Sequence, residues 1–204
     1  MKKEKIYRLS ITAILIAIIA IMSFTPLGYL KIGLVSITFL TVPIIIGAVT
    51  NGPGVGAVLG FAFGITSFIQ CFGMDAFGVS LMQISPWKTA FMCIVPRTLM
   101  GLICGLCYKG LKNTKLPSPA KFALSGITAP LFNTILFMST LIAFFWKSEY
   151  IQSVAASLGA SSVLKFLVAL VGVNGILELV VCPIIATLVL IPLQKALSKF
   201  DLSA

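Results

Sequence analysis

The sequence predicts an all-α membrane protein, a bundle of six transmembrane helices that forms one domain over residues 1–204. Hydrophobic residues make up 59% of the chain and charged residues only 10%, whereas soluble domains carry about 25% charged residues. So few polar groups cannot cover a globular surface in water, and lipid must surround much of the exterior. The net charge of +10 comes from cations at the ends of apolar runs. This pattern indicates membrane topology rather than nucleic-acid binding.

Six apolar runs give the predicted spans, which are residues 7–24, 35–49, 54–69, 85–109, 122–146 and 163–193. The first run follows a basic N-terminus but is too long for the apolar part of a signal peptide, and it lacks an evident cleavage site. We therefore expect it to be retained. Spans two and three are short for a full crossing. Only residues 50–53 separate them, which predicts a tight helical hairpin.

The cations predict the orientation of the spans. Ten Lys and Arg residues lie at the N-terminus, between spans four and five, and after span six, whereas four Lys residues lie on the opposite side. Because cytoplasmic loops are enriched in Lys and Arg, both termini should be cytoplasmic. The longer outer loops gather polar and aromatic groups. They either form the mouth of a small-molecule site or are ordinary residues of the membrane interface.

Arg97 is the charge near the middle of span four. It lies about 16 Å below Pro86 at the helical rise per residue. A charge at membrane depth is costly unless it is paired, hydrated or functional. Asn133, Asn174 and Glu178 fall at a comparable level, and the last two share one helix face. Either Arg97 and Glu178 form a salt bridge that fixes the bundle, or Arg97 donates two parallel hydrogen bonds to a substrate carboxylate.

Four glycines recur every fourth residue in span three, at positions 52, 56, 60 and 64. This spacing predicts a smooth face for close helix packing. The Gly-Lys-Ser/Thr element of a phosphate-binding loop does not occur in the sequence, so ATP hydrolysis is not expected on this chain. The sequence also has no His, and Cys104-x-x-Cys107 lacks a second Cys pair. We expect no metal, no cofactor and no enzymatic activity.

Span one carries small residues at Ala13 and Ala17, with Ala20 nearby. Small residues four apart let another helix approach closely. The contact is predicted to be either with a helix of the same chain or with a partner subunit.

These features together resemble the substrate-binding S component of energy-coupling factor (ECF) vitamin transporters. The resemblance covers nearly the whole chain and rests on the order of its motifs, including the Ala13/Ala17 pair and residues 33–48 followed by Asn51-Gly-Pro-Gly-Val-Gly-Ala. It implies that Ala13, Ala17 and Ala20 contact the ECF transmembrane coupling subunit. It also implies that two cytoplasmic ATPase subunits supply the energy. The S component would bind its vitamin under the outer loops and topple in the membrane to release it.

Within that family the chain looks most like the pantothenate-type members. The motifs that carry this similarity are Ser36-Ile-Thr-Phe-Leu-Thr-Val-Pro43, Thr66-Ser-Phe-Ile-Gln70, Phe72-Gly-Met-Asp-Ala-Phe-Gly78 and Val95-Pro-Arg97. From the chemistry of pantothenate, Arg97 would hold the carboxylate, while amide side chains would meet the hydroxyls and amide. The expected substrate-binding residues are Arg97, Asn133, Asn174, Glu178, Gln70, Trp87, Lys31 and Asp75.

Other functions stay open at this point. Aromatic walls formed by Phe68, Phe77 and Trp87 suit the flat rings of riboflavin or a hydroxymethylpyrimidine as well. A stand-alone secondary transporter or channel would need no partner chains. A structural or assembly protein would use the polar cluster for packing alone.

Overall fold

The computed structural model describes residues 2–32 and 35–199, apart from the side chains of residues 2–4, 30–37, 173–174 and 197–199. In this part the chain forms helices and one strand hairpin, in the order α1 (Lys2–Ser23), β1 (Tyr29–Ile32), β2 (Val35–Thr38), α2 (Thr41–Asn51), α3 (Pro53–Gln70), α4 (Ala76–Ile84), α5 (Pro86–Lys112), α6 (Ser118–Phe145), α7 (Glu149–Ser157) and α8 (Val163–Lys199).

Five helical segments are long and apolar enough to cross a membrane, and they are Lys5–Ser23, Pro53–Gln70, Pro86–Lys112, Ser118–Phe145 and Gly175–Ala196. The prediction of a helical, multi-pass membrane protein is thereby confirmed. The predicted count of six spans is not confirmed, since five helical segments reach that length within the described ranges. The sixth candidate, α2, has 11 residues. It is about 16 Å long, which is too short for a hydrocarbon core of about 30 Å.

The all-α prediction was wrong for the segment before α2. There, β1 pairs antiparallel with β2, with Tyr29 opposite Thr38. The predicted second span is therefore a short strand followed by a short helix. Its β-branched residues Val35, Ile37 and Thr38 favour a strand. Non-helical backbone at membrane depth is tolerated where other parts of the protein satisfy its polar groups.

The predicted tight hairpin between spans two and three is confirmed. α2 ends at Asn51 and α3 begins at Pro53. Gly52 between them has a φ of 93°, which glycine adopts without a steric penalty. Pro53 occupies the first helical position, where its missing N–H leaves no hydrogen bond unmade.

The glycine face of α3 packs against α5, as the spacing predicted. A methyl group added at Gly60 would overlap the backbone carbonyl of Arg97, and one at Gly56 would overlap the carbonyl of Gly101. At Gly64 the added carbon would lie 2.7 Å from the Cα atom of Ile94. Three of the four glycines therefore bring the backbones of the two helices into contact. The fourth, Gly52, serves the turn instead.

Two short helices lie in regions that were expected to be loops. Asp75 begins α4 by accepting a 2.8 Å hydrogen bond from the Gly78 N–H, and Ser148 caps α7 in the same way. Such side-chain acceptors stabilise helix starts. The two helices meet through Phe77 and Tyr150, whose ring centroids are 5.9 Å apart.

The last helix is broken at Gly172, where φ is 36° and ψ is −136°. The two halves of α8 contribute to different apolar clusters. One cluster includes Phe63, Met100 and Leu190, and the other includes Met92 and Phe166. Arg97 lies between these two apolar clusters, because it contacts Phe63 of the first and Phe137 beside the second. Arg97 and the nearby Tyr29, Gln70 and Glu178 are called the Arg97 cluster.

Candidate functional site

The guanidinium of Arg97 is held by its own helix. Nη1 donates to the Cys93 carbonyl at 2.9 Å and lies 3.4 Å from the Met92 carbonyl. Pro96 stands inside α5 and has no N–H, so the Met92 carbonyl loses its helical donor. The Arg97 side chain therefore compensates locally for the proline.

Two aromatic rings flank the same guanidinium. Its Cζ atom lies 4.8 Å from the ring centroid of Phe63 and 5.4 Å from that of Phe137. These cation–π contacts stabilise a charge that water does not surround. Nε of Arg97 is buried without a hydrogen-bond partner, so the group keeps a free donor.

Glu178 does not pair with Arg97. Its buried carboxylate accepts a 2.6 Å hydrogen bond from the Thr38 backbone N–H through Oε1. The Arg97 charge acts on this carboxylate electrostatically, but no ion pair forms between the two described side chains. The salt-bridge alternative is thus not realised, and Glu178 instead satisfies an N–H of the non-helical β2 segment.

Gln70 joins three elements at the end of α3. Its Oε1 accepts a 3.0 Å hydrogen bond from the Tyr29 hydroxyl, and its Nε2 donates to the Ser23 carbonyl. Burial raises the pKa of the Tyr29 phenol to about 12, while the Arg97 charge and the Gln70 hydrogen bond lower it by smaller amounts. The phenol therefore stays a neutral donor at physiological pH.

Asn133 on α6 has a buried Oδ1 with no donor within the described part of the chain. An unpaired buried acceptor is costly. Nε of Arg97 and Oδ1 of Asn133 are thus both buried polar atoms without a hydrogen-bond partner in the described part of the chain, and a polar ligand that reached either atom could satisfy it.

The other predicted substrate-binding residues are placed differently. Asp75 is exposed and caps α4. Trp87 is 87% exposed, so the structure does not bring it to the Arg97 cluster. The backbones of Lys31 and Asn174 lie in β1 and α8, but their side chains fall outside the description.

One groove is lined by residues other than Arg97, Tyr29, Gln70 and Glu178. It has a volume of about 670 Å³ and runs between α6 and α8 past Gly172. Its lining is almost wholly apolar, and Ile135 and Ile176 on its rim are 47% and 65% exposed. The lining offers a carboxylate no cation, and its polar side chains are the hydroxyls of Thr134 and Ser139.

The small-residue stripe of α1 faces outward. Ala13 and Ala17 are exposed and Ala20 is half-buried, whereas Leu15 and Ile19 point into the core. Of the two predicted alternatives for this stripe, a packing face within the chain does not fit the two exposed positions.

Sequence reasoning missed Thr38, Phe63 and Phe137 as parts of this region. An aromatic residue within an apolar span carries no sign that it flanks a cation. The backbone N–H of Thr38 is invisible to any residue-type pattern. The sequence did contain one signal for the Arg97 contacts, which is Pro96 beside it. A proline inside a helix leaves the Met92 carbonyl without its helical donor, and Arg97 is long enough to reach that carbonyl.

The chain is similar in sequence to known transport proteins. Residues 7–190 match the family model described as ECF transporter, substrate-specific component. The pantothenic acid transporter PanT of Lactococcus lactis subsp. cremoris is 26% identical over 213 residues, covering 96% of this chain and 98% of that protein. The pantothenate transporter PanT of Leuconostoc mesenteroides subsp. mesenteroides is 29% identical over 188 residues, covering 88% of each chain. The match spans the apolar helices and the segment that carries Arg97, so the chain belongs to the substrate-specific component family of ECF transporters.

Proposed function

We propose that this protein is the pantothenate-binding S component of an ECF-type importer in a prokaryotic plasma membrane. The observation that carries the proposal is that the charge of Arg97 is held in place but not neutralised. Its guanidinium is held between two rings, forms no ion pair with Glu178 and keeps Nε free. A fixed, unneutralised cation inside an apolar bundle is suited to an anionic ligand.

Pantothenate carries polar groups that would bond the side chains of the proposed site. Its carboxylate would meet Arg97, because a charge-assisted hydrogen bond is strongest there. Its hydroxyls and amide would meet the unpaired Oδ1 of Asn133, the Gln70 amide and Asn174. The names of the two relatives support this ligand over riboflavin or a hydroxymethylpyrimidine.

The remaining predicted residues would have supporting roles in this proposal. Glu178 would hold the β1–β2 hairpin in place through Thr38, and Lys31 on β1 would extend the site toward the surface. Asp75 would position α4 through its cap. Trp87 would anchor the helix start at the membrane surface, where exposed tryptophans are enriched.

The whole chain would act as one domain, residues 1–204, with six crossings and both termini in the cytoplasm. The second crossing would be completed by β2 and α2 together. The Glu178 carboxylate would accept from the Thr38 N–H at the end of β2. The positive-inside distribution of Lys and Arg supports this orientation.

Transport would require partners. The exposed Ala13 and Ala17 stripe would contact the transmembrane coupling subunit, and two ATPase subunits on separate chains would hydrolyse ATP. The S component would then topple against the coupling subunit and release pantothenate into the cytoplasm. The outward orientation of the two alanines supports a partner on that face.

Titration of the purified protein in detergent tests the ligand directly. Calorimetry with pantothenate should give a nanomolar to low-micromolar Kd, whereas pantothenol, which has an alcohol in place of the carboxylate, should bind much more weakly. Riboflavin and hydroxymethylpyrimidine serve as comparisons. Equal binding of pantothenate and pantothenol would refute the role of Arg97, and tighter binding of another vitamin would refute the ligand.

Reconstitution separates the importer from a stand-alone transporter. In proteoliposomes that contain only this chain, pantothenate should bind but not accumulate. Uptake should appear when the coupling subunit, both ATPases and ATP are present. Accumulation without partners would instead favour a secondary transporter.

A further inference from the structure

Two buried cysteines on different helices lie in contact. The Sγ atoms of Cys71, at the end of α3, and Cys93, on α5, are 3.8 Å apart. Their residues are only 4% and 2% exposed. They are 22 positions apart in sequence, so the contact is created by the fold and not by a local motif.

The pair is surrounded by parts of the candidate site. Cys71 follows Gln70, which holds Tyr29. The carbonyl of Cys93 accepts the hydrogen bond from Arg97. Gly78 of α4 lies directly over the Cys71 sulfur, because a methyl group added at Gly78 would come within 2.5 Å of it. The thiols therefore sit beneath α4 and beside Arg97.

We propose that Cys71 and Cys93 are a disulfide-forming pair that responds to peroxides. One thiol would reduce hydrogen peroxide, releasing one water and becoming a sulfenic acid. The second thiol would attack that sulfur, form the S–S bond and release a second water. The two thiols lose two electrons and two protons in total, and the peroxide is reduced to water.

Such a bond would tie the end of α3 to α5 at the point where α4 rests. It would fix Gln70 relative to Arg97 and restrict the movement of α4 above them. Coupling between the oxidation state and ligand affinity follows from this placement and rests on the proposed function. Typical couplings between linked sites change affinity by about fivefold or more.

Peptide mapping tests the bond itself without any ligand. Folded protein in detergent is treated with hydrogen peroxide, blocked with an alkylating reagent, digested and examined by mass spectrometry. A Cys71–Cys93 crosslink that a reductant reverses is expected. It should also form in a Cys104→Ala/Cys107→Ala/Cys182→Ala variant and be missing from Cys71→Ser and Cys93→Ser. Failure to crosslink, or a dominant crosslink between other cysteines, would overturn the pair.

Calorimetry with pantothenate on the reduced and the oxidised wild-type protein tests the coupling. A Kd that differs by about fivefold or more is expected, and the difference should vanish after reduction. Equal values in a sample that mass spectrometry shows to be crosslinked would overturn the coupling. A reduced wild-type protein that does not bind pantothenate would instead refute the proposed function, while the crosslink remains readable.

Discussion

The carboxylate of Glu178 accepts a hydrogen bond from the backbone N–H of Thr38 at 2.6 Å, across 140 residues of sequence. The thiol of Cys182, one helical turn further along α8, contacts the carbonyl of the same residue at 3.5 Å. Side chains of α8 thus supply partners to both polar groups of the Thr38 backbone. This lets a strand end within a helical bundle.

Replacing Glu178 tests this role. Glu178→Ala should lower the free energy of unfolding by about 1–3 kcal/mol, because it leaves the Thr38 N–H buried and unpaired. Glu178→Gln keeps an oxygen acceptor and should cost less. Thermal unfolding in detergent gives the comparison. An alanine variant as stable as the wild type would contradict the structural role of this carboxylate.

Replacing Arg97 tests the proposed ligand contact. Arg97→Met should keep the fold but weaken pantothenate binding by at least about 30-fold, which corresponds to about 2 kcal/mol for a truncated charge pair. Arg97→Lys should recover only part of the affinity, because an ammonium lacks the planar fork of donors. Calorimetry gives each Kd.

Lys88→Met provides the control for this experiment, since it removes an exposed cation from the same helix. Its Kd should match that of the wild type. Unaltered affinity in Arg97→Met would remove Arg97 from the site, whereas a variant that fails to fold would assign Arg97 to the structure alone.

The glycine face of α3 gives a matched pair of variants. Gly60→Ala should destabilise the protein by about 1–3 kcal/mol, because the new methyl group meets the Arg97 carbonyl on α5 and overpacking costs that much. Gly54→Ala lies on the same helix with open space around it. It should be neutral or stabilising by up to about 1 kcal/mol, as alanine favours helix formation. Unfolding temperatures measured side by side should differ in that order, and equal temperatures would argue against the close contact.

The outward face of α1 can be tested by assembly. Ala17→Trp should block co-purification with the coupling subunit, because a bulky side chain prevents close helix approach, while pantothenate binding by the isolated protein is retained. Ile184→Trp, at a site 52% exposed on α8, should leave assembly intact. Intact assembly of Ala17→Trp would place the partner on another face.

Much of the architecture could be predicted because it follows from local chemistry. Lipid exposure requires long apolar runs, and five of the predicted runs correspond to long helices. The Asn51–Pro53 turn and the close-packing face of α3 follow from local residue types, whereas α5 as the partner of that face was not predicted. By contrast, α4 and α7 are short and depend on caps and mutual packing, so apolar length alone did not reveal them.

The candidate site could be predicted only in outline. Arg97 and Glu178 drew attention because a charge within an apolar run is costly wherever it lies, and that cost is a property of sequence. Their partners were not predictable. Arg97 bonds the carbonyls of its own helix and stacks on two rings, while Glu178 bonds a backbone N–H of a distant strand.

The sequence by itself determined that this is a multi-pass membrane protein, where its long apolar helices lie and which side chains are costly to bury there without a partner. Only the tertiary structure decided which groups pair with those side chains. The free-energy cost of burying a side chain depends on residue type, which the sequence gives directly. A hydrogen bond or a thiol contact depends on which atoms folding brings within a few ångströms, and residues 140 positions apart, such as Thr38 and Glu178, meet only in three dimensions.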